Sequence, residues 1–165
     1  MAKIQPNEKC PCGYDVKFKK CCKPYLEGKT AEDANRLART RYVAQVKGDA
    51  DFLWQTQHPD SPRKKHDSRE KFVNEQSLLK NLNYQKLILL DEQIDKDSTV
   101  LVSYVKISEG TKCLSYLEES TWRLFDGKWY FVDGLRKSSE RLGCLPESVR
   151  IGDLKRLGLH DSQHN

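Results

Sequence analysis

The sequence predicts an α+β protein in which a small cysteine-rich segment precedes helices packed on one face of an antiparallel sheet. Three observations carry this. Four cysteines, Cys10, Cys12, Cys21 and Cys22, fall within the first 22 residues. Apolar residues then recur at helical spacing through the following stretch. From Tyr84 onward, β-branched, aromatic and leucine residues dominate in four runs separated by turn signals.

The cysteine run reads Cys10-Pro-Cys12-Gly-Tyr-Asp-Val-Lys-Phe-Lys-Lys-Cys21-Cys22. Four soft sulfur donors this close together suit one tetrahedral Zn²⁺. Cys10 and Cys12 are two apart, so in an extended segment both thiolates project from the same side. Pro11 fixes the backbone between them, and Gly13 lets the chain turn sharply. Two other uses of the cysteines compete. A disulfide framework would fit an oxidising compartment, but Met1–Glu8 has no apolar core of a leader peptide, which predicts a reducing cytoplasm. A redox dithiol could use the vicinal Cys21–Cys22 pair, although such pairs usually come as C-x-x-C. The spacing matches neither C-x-x-C nor the common finger pattern, and a full thiolate shell would leave no open catalytic position.

A first helix is expected from Thr30, a candidate cap, with Ala34, Leu37, Ala38, Tyr42 and Val46 on its stripe and Gly48 at its end. A short second helix runs from its cap Asp49 to Gln57 and is closed by His58-Pro59. The basic stretch Arg63-Lys64-Lys65-His66 reads as a solvated loop or helix start. Residues 67–82 form a third helix with Phe72, Val73, Leu78, Leu79 and Leu82 as its apolar positions. Strands are expected over Tyr84–Ile94, Thr99–Ser108, Cys113–Phe125 and Lys128–Leu135. Asp126-Gly127 is a hairpin signal, because Gly supplies a positive φ, and Asp95–Ser98 makes another turn. The tail carries Val149, Ile151, Leu154, Leu157 and Leu159, which would cover the rest of the fold or dock on a partner. Cys113 is expected to pack in or beside a strand. Lone Cys144 has too few neighbours for a metal site, and His160 and His164 lie in a polar terminus expected to be disordered.

At 165 residues, one domain with a small appendage is the expected size, and no apolar stretch approaches a membrane span. Net charge is +5. Residues 1–30 hold seven lysines against Glu8, Asp15 and Glu27. A zinc bound by four thiolates carries a formal −2, so Lys17, Lys19, Lys20 and Lys23 either neutralise the site or form a basic docking face.

The cysteine run resembles the SEC-C motif, the zinc-binding segment at the carboxy-terminal end of the SecA translocation motor, usually C-P-C-G-S-G-K-K-Y-K-K-C-C or ending in C-H. This chain keeps the Pro-Cys-Gly step, an aromatic at Phe18, Lys19-Lys20 and both terminal cysteines. It departs at Tyr14, Asp15 and Val16, which alters the loop surface and any partner contact made there. Leu37-Ala-Arg39-Thr-Arg41-Tyr42-Val-Ala44, Thr56-Gln57-His58-Pro59 and Gly127-Lys-Trp129-Tyr130-Phe-Val-Asp133-Gly134 are similar to signatures of the YchJ-type (UPF0225) proteins. In that family a SEC-C motif joins an NTF2-like domain, a curved sheet wrapped around helices to form a cone. Members often have Trp where this chain has Gln57, and many carry a second SEC-C motif that is absent here. The resemblance implies a SEC-C motif over 1–28, an NTF2-like domain over 29–137 and a tail over 138–165.

On the long third strand, alternation puts Leu114, Tyr116, Glu118, Ser120, Trp122 and Leu124 on one face. If that face lines the cone, Glu118 is a carboxylate in partly apolar surroundings, suited to acid–base work. Asp133, His58, Tyr104 and Arg41 are the other candidates for a small-molecule or catalytic site. An Arg41 pair with Asp133 or Glu118, bracing helix to sheet, is the structural alternative. No Ser-His-Asp arrangement or phosphate-binding glycine loop is visible, and the cone alone does not decide, since that fold hosts both enzymes and binders. The leading expectation is a non-enzymatic cytoplasmic protein holding one structural zinc at Cys10, Cys12, Cys21 and Cys22. Its motif would dock a SecB-like chaperone or the ribosome, by resemblance, and its cone would serve as scaffold or ligand cup. The alternative is a small-molecule binder or enzyme with a zinc appendage. Nucleic-acid binding through Tyr14, Phe18 and the lysines is a weaker third reading. Many cones of this type dimerise through the sheet, so a homodimer is also an expectation.

Overall fold

Local capping chemistry sets where each helix begins. The computed structural model describes residues 3–141 and 144–156. One helical turn, α1 (Lys23–Leu26), follows the cysteine loop. Helix α2 (Ala34–Lys47) starts at Asp33, not Thr30, because the Asp33 carboxylate accepts from the Arg36 amide at 2.6 Å. It ends at Gly48. Helix α3 (Ala50–Gln55) is capped by Asp49, which accepts from the Phe52 amide at 3.0 Å. Ser61 with Pro62 in the first turn turns the basic stretch into a short helix, α4 (Pro62–His66). Helix α5 (Arg69–Leu78) is shorter than expected at both ends. Ser68 caps it, and Asp67 is engaged as an acceptor for Arg63 and Lys71 at 2.9 and 2.6 Å. Of the expected apolar positions on α5, Phe72 is buried while Leu78 stands 78 % exposed.

The four strands, β1 (Leu82–Ile94), β2 (Ser98–Glu109), β3 (Lys112–Phe125) and β4 (Lys128–Ser138), form one antiparallel sheet in sequence order. Asp126 (φ 48°) and Gly127 (φ 72°) make the β3–β4 turn with positive φ at both positions, matching the strand twist. Register shifts in β1 at Tyr84/Lys86 and Leu89/Asp91, and between β3 and β4 at Thr121/Trp122, are bulges that bend the sheet. The segment after α3 is tied to β4: the His58 amide donates to the Phe131 carbonyl at 2.8 Å and the Phe131 amide to that of Thr56 at 3.0 Å.

Helix α2 is surrounded rather than laid on a surface. Tyr42 and Val43 pack with the cysteines and with Leu87, Val105 and Ile107 of the sheet. Ala34 and Leu37 pack with Leu101 and Trp122, and Ala44 packs with Leu53 and Phe72. That is why its buried positions form no single stripe. The cysteine segment therefore shares a core with the domain behind it.

The opposite, convex face of the sheet is covered by the tail. Val149 and Leu154, the latter in the short helix α6 (Asp153–Arg156), bury Val102 and Leu117, with Tyr104 and Leu135 alongside. Backbone amides fix this strap: Ile151 donates to Asp91 Oδ2 at 3.0 Å and Gly152 to Glu119 Oε2 at 2.7 Å. Leu157, Leu159, His160 and His164 lie outside the described residues. Cys113 lies in β3 but is exposed rather than packed, and Cys144 is exposed too. Among the described residues, no helix is long and apolar enough to cross a membrane.

Candidate metal centre and cavity

Residues 8–18 form a small hairpin around the first two cysteines. The Cys10 amide donates to the Val16 carbonyl and the Phe18 amide to that of Glu8, both at 2.8 Å. Gly13 makes the turn at φ 92°, and a Cβ there would meet the Leu87 carbonyl of β1 at 3.2 Å. Buried Phe18 sits under the loop, and Cys21 and Cys22 return just ahead of α1.

All four sulfurs lie within 4.8 Å of one another, and all four cysteines are buried. Cys12 Sγ is 3.4 Å from Cys21 Sγ, which is 4.0 Å from Cys22 Sγ. These are not disulfide distances, and all four are free thiols. A tetrahedral ion with metal–sulfur bonds of zinc length spaces its ligands about 3.8 Å apart, so the donor set fits. The electrostatics point the same way. Without a cation, Cys10 is pulled down to about 2 by S–H donation from Cys12 and Cys22. Cys12 is pushed up to about 12 by its hydrogen bond to Cys10, and Cys22 is driven up by its hydrogen bonds to Cys10 and Cys12 and by burial. A cation is what allows several thiolates in one buried site. The cluster can hold a metal ion.

Arginines of α2 reach this centre. Arg36 Nη1 donates to Cys21 Sγ at 3.6 Å, and Arg39 Nη1 donates to the Cys12 carbonyl at 2.6 Å. Both guanidiniums also lie over the Tyr14 ring, at 5.0 and 4.1 Å from its centroid. Lys17, Lys19 and Lys20 instead face solvent, and half-buried Lys23 pairs with Glu27 at 3.0 Å. Sequence reasoning looked for the neutralising charge among neighbouring lysines and missed Arg36. Arg36 and Arg39 are three apart in a helix, so they share a face, but only the tertiary fold says which surface that face meets.

The second feature is a cavity of about 280 Å³ between the concave face of the sheet and the helices. Arg41, Glu118 and Asp133 line it, with Tyr116, Ser120 and Trp122 of β3. The expected pair of Arg41 with Asp133 or Glu118 does not form. Arg41 donates instead to the Leu53 carbonyl at 2.7 Å, to Thr56 Oγ1 and to Gln57 Oε1 at 3.2 Å. Glu118 accepts from its cross-strand partner Arg136, so its surroundings are not apolar. The absence of a side chain at Gly134 makes room for it: a Cβ there would meet Glu118 Cδ at 3.1 Å. Asp133 accepts from the Gly134 amide at 2.8 Å.

Two candidates lie elsewhere. Tyr104 belongs to the convex face, under the tail, since it alternates with the inward-facing Ser103 and Val105. His58 is buried against Phe125 and Tyr130 beside the β3–β4 hairpin. Its Nδ1 accepts from the Asp60 amide at 3.0 Å, and burial holds the imidazole below its ordinary range. It is a helix-end anchor that does not reach the cavity.

A curved sheet closing over helices, with a four-cysteine knuckle built into its core, defines an NTF2-like protein carrying a SEC-C-type metal site. The sequence model described as "YchJ, middle NTF2-like domain" matches residues 33–134. A UPF0225 protein of Enterobacter sp. (strain 638) is 34 % identical over 140 residues, covering 83 % of this chain and 89 % of its own length. The chain belongs to this YchJ-like, UPF0225 family. Two solved structures share the fold. A SEC-C motif protein from Rhodopseudomonas palustris superposes with a TM-score of 0.67 at 23 % identity, covering 78 % of this chain and 98 % of the other. One from Psychrobacter arcticus gives 0.63 at 20 % identity, covering 78 % and 82 %.

Proposed function

We propose that this protein is a cytoplasmic, non-enzymatic adaptor that holds one structural Zn²⁺ at Cys10, Cys12, Cys21 and Cys22 and docks a protein partner through the loop pinned by that ion. The observation that carries this reading is a separation of roles within one short segment. The four sulfurs point into the core, while Tyr14 and Val16 stand 38 % and 43 % exposed among exposed Lys17, Lys19 and Lys20. Four thiolates favour zinc over hard cations and leave it no open position for substrate. A patch with apolar residues ringed by lysines suits an acidic partner, and the SEC-C resemblance makes a SecB-like export chaperone or the ribosome the partner to try. A homodimer through the convex face would first have to displace the strap around Leu154.

The test is binding of the zinc-loaded protein to purified SecB and to ribosomes, beside a Lys17→Glu, Lys19→Glu, Lys20→Glu variant that keeps its zinc. Binding to one target that weakens steeply with salt, and is lost in the variant, is the expected result. Equal binding by both proteins, or none to either target at low salt, removes this reading.

A further inference from the structure

The face of α2 made by Ala38, Arg41, Tyr42 and Gln45 lines the cavity, as spacings of three and four in a helix require. Two groups on that face are left incomplete. Among the described residues the guanidinium of Arg41 has only neutral acceptors, the Leu53 carbonyl, Thr56 Oγ1 and Gln57 Oε1, makes no salt bridge, and lies over the Phe131 ring at 4.7 Å from its centroid. These three bonds leave the Nε–H and one Nη2–H unused. The nearby carboxylate of Glu118 is already taken by Arg136. Tyr42 is 3 % exposed, and among the described residues its buried hydroxyl has no hydrogen-bond partner. Enclosed cations normally find a counter-charge and buried hydroxyls an acceptor. Leu101, Val105, Trp122 and Phe131 give the cavity an apolar wall, and the carboxylates of Glu118 and Asp133 on its rim are held by Arg136 and the Gly134 amide. The Trp122 indole N–H is already satisfied by Ser120 Oγ at 2.9 Å, so that ring offers only its faces and edges.

We propose that the cavity binds a small organic oxyanion, a carboxylate or phosphate on an aromatic or apolar body, whose charge pairs with Arg41 and whose oxygens give the Tyr42 hydroxyl its acceptor. The body lies against Trp122 and Phe131. A volume of about 280 Å³, at the small end of ligand pockets, admits a single ring with a short acidic arm. Burial lowers the pKa of Arg41 against the opposing pull of the Glu118 carboxylate, and an anion in the cavity would raise it. The proposal is independent of the docking function, since it uses none of the exposed loop residues.

The experiment is a titration of the full, metal-loaded chain followed by amide chemical shifts. Benzoate, phenylacetate and phenyl phosphate are the probes, taken to roughly ten millimolar, with benzamide as the uncharged control. Amides of α2 and of Ser120–Trp122 are expected to shift with at least one anion and not with benzamide. Arg41→Gln should weaken that anion by about tenfold or more. Because Arg41 also holds the segment after α3, Tyr42→Phe is the second variant. It keeps shape and packing, and should weaken binding about threefold or more. Silence with all three anions overturns the proposal. So does equal binding of benzamide, or unchanged affinity in the folded Tyr42→Phe variant.

Discussion

Arg36 Nη1 and Cys21 Sγ are 3.6 Å apart, which joins the longest helix of the domain to the metal centre. The guanidinium supplies a positive charge beside a cluster that becomes anionic when its thiols ionise. Arg36→Leu is expected to lower metal affinity about tenfold or more, the usual scale for losing a partner of a ligand. Competition with a chromogenic chelator measures it. Arg36→Lys, which keeps the charge, should retain part of the affinity. Unchanged affinity in Arg36→Leu would show that the contact is incidental.

Chelation should unfold more than the cysteine segment. Cys10, Cys12, Cys21 and Cys22 share one core with Tyr42, Val43, Leu87 and Val105. Metal removal, or Cys21→Ser, is therefore expected to lower the melting temperature of the whole domain in a single transition. Hydrogen exchange should rise in α2 and β1 as well as in the knuckle. Two separate transitions, with the sheet untouched, would mean that the knuckle is an independent unit.

Gly13 tests the seam between knuckle and sheet. Its φ of 92° strains any side chain, and a Cβ there would crowd the Leu87 carbonyl at 3.2 Å. Gly13→Ala should destabilise the holo protein by at least about 1–2 kcal/mol, read from urea unfolding, and should speed metal release to a chelator.

His58 gives a pH dependence. Burial lowers its folded pKa below the unfolded value of about 6.5. The unfolded chain therefore takes up the proton first, and stability is full above that value and falls as pH drops through the folded pKa. Thiolate ligands protonate in acid too, so the comparison is with His58→Gln. The stability difference between wild type and variant should shrink as the pH is taken from 7.5 to 5.5, measured by urea unfolding. A constant difference would refute it.

Leu154 anchors the strap over Val102 and Leu117. Leu154→Ala should cost roughly 2–3 kcal/mol in urea unfolding and raise binding of a hydrophobic dye to the uncovered convex face. A loss well under 1 kcal/mol would mean that the strap is held by Asp91 and Glu119 alone.

Much of this architecture is legible in the sequence, for local reasons. Cysteine spacing, the Asp126-Gly127 turn and the caps at Asp49 and Gly48 act within a few residues. The contents of the cavity were harder, and a single bulge explains why. Counting back from the hairpin, where Phe125 faces Lys128, a regular ladder would set Glu118 opposite Leu135. The register shift at Thr121/Trp122 admits one extra residue in β4, and Arg136 takes that place instead. Leu135 is turned to the convex face beneath the tail. Nothing in the composition of β4 announces the bulge, and of the two carboxylates expected to pair with Arg41, Glu118 is held by Arg136 while Asp133 accepts from the Gly134 amide. The Thr30 cap failed for a smaller reason: Asp33, three residues on, is the stronger acceptor at the position where the helix begins.

The shared core around the cysteines also dictates an order of events during synthesis. Cys10 to Cys22 leave the ribosome first, yet Leu87, Val105 and Ile107, which cover them, follow only with β1 and β2. At ordinary elongation speeds the four thiols stay uncovered for several seconds on the order of magnitude. An ion captured during that interval would keep the sulfurs from oxidation and hold the loop in shape, so that the nascent sheet would close over a finished knuckle.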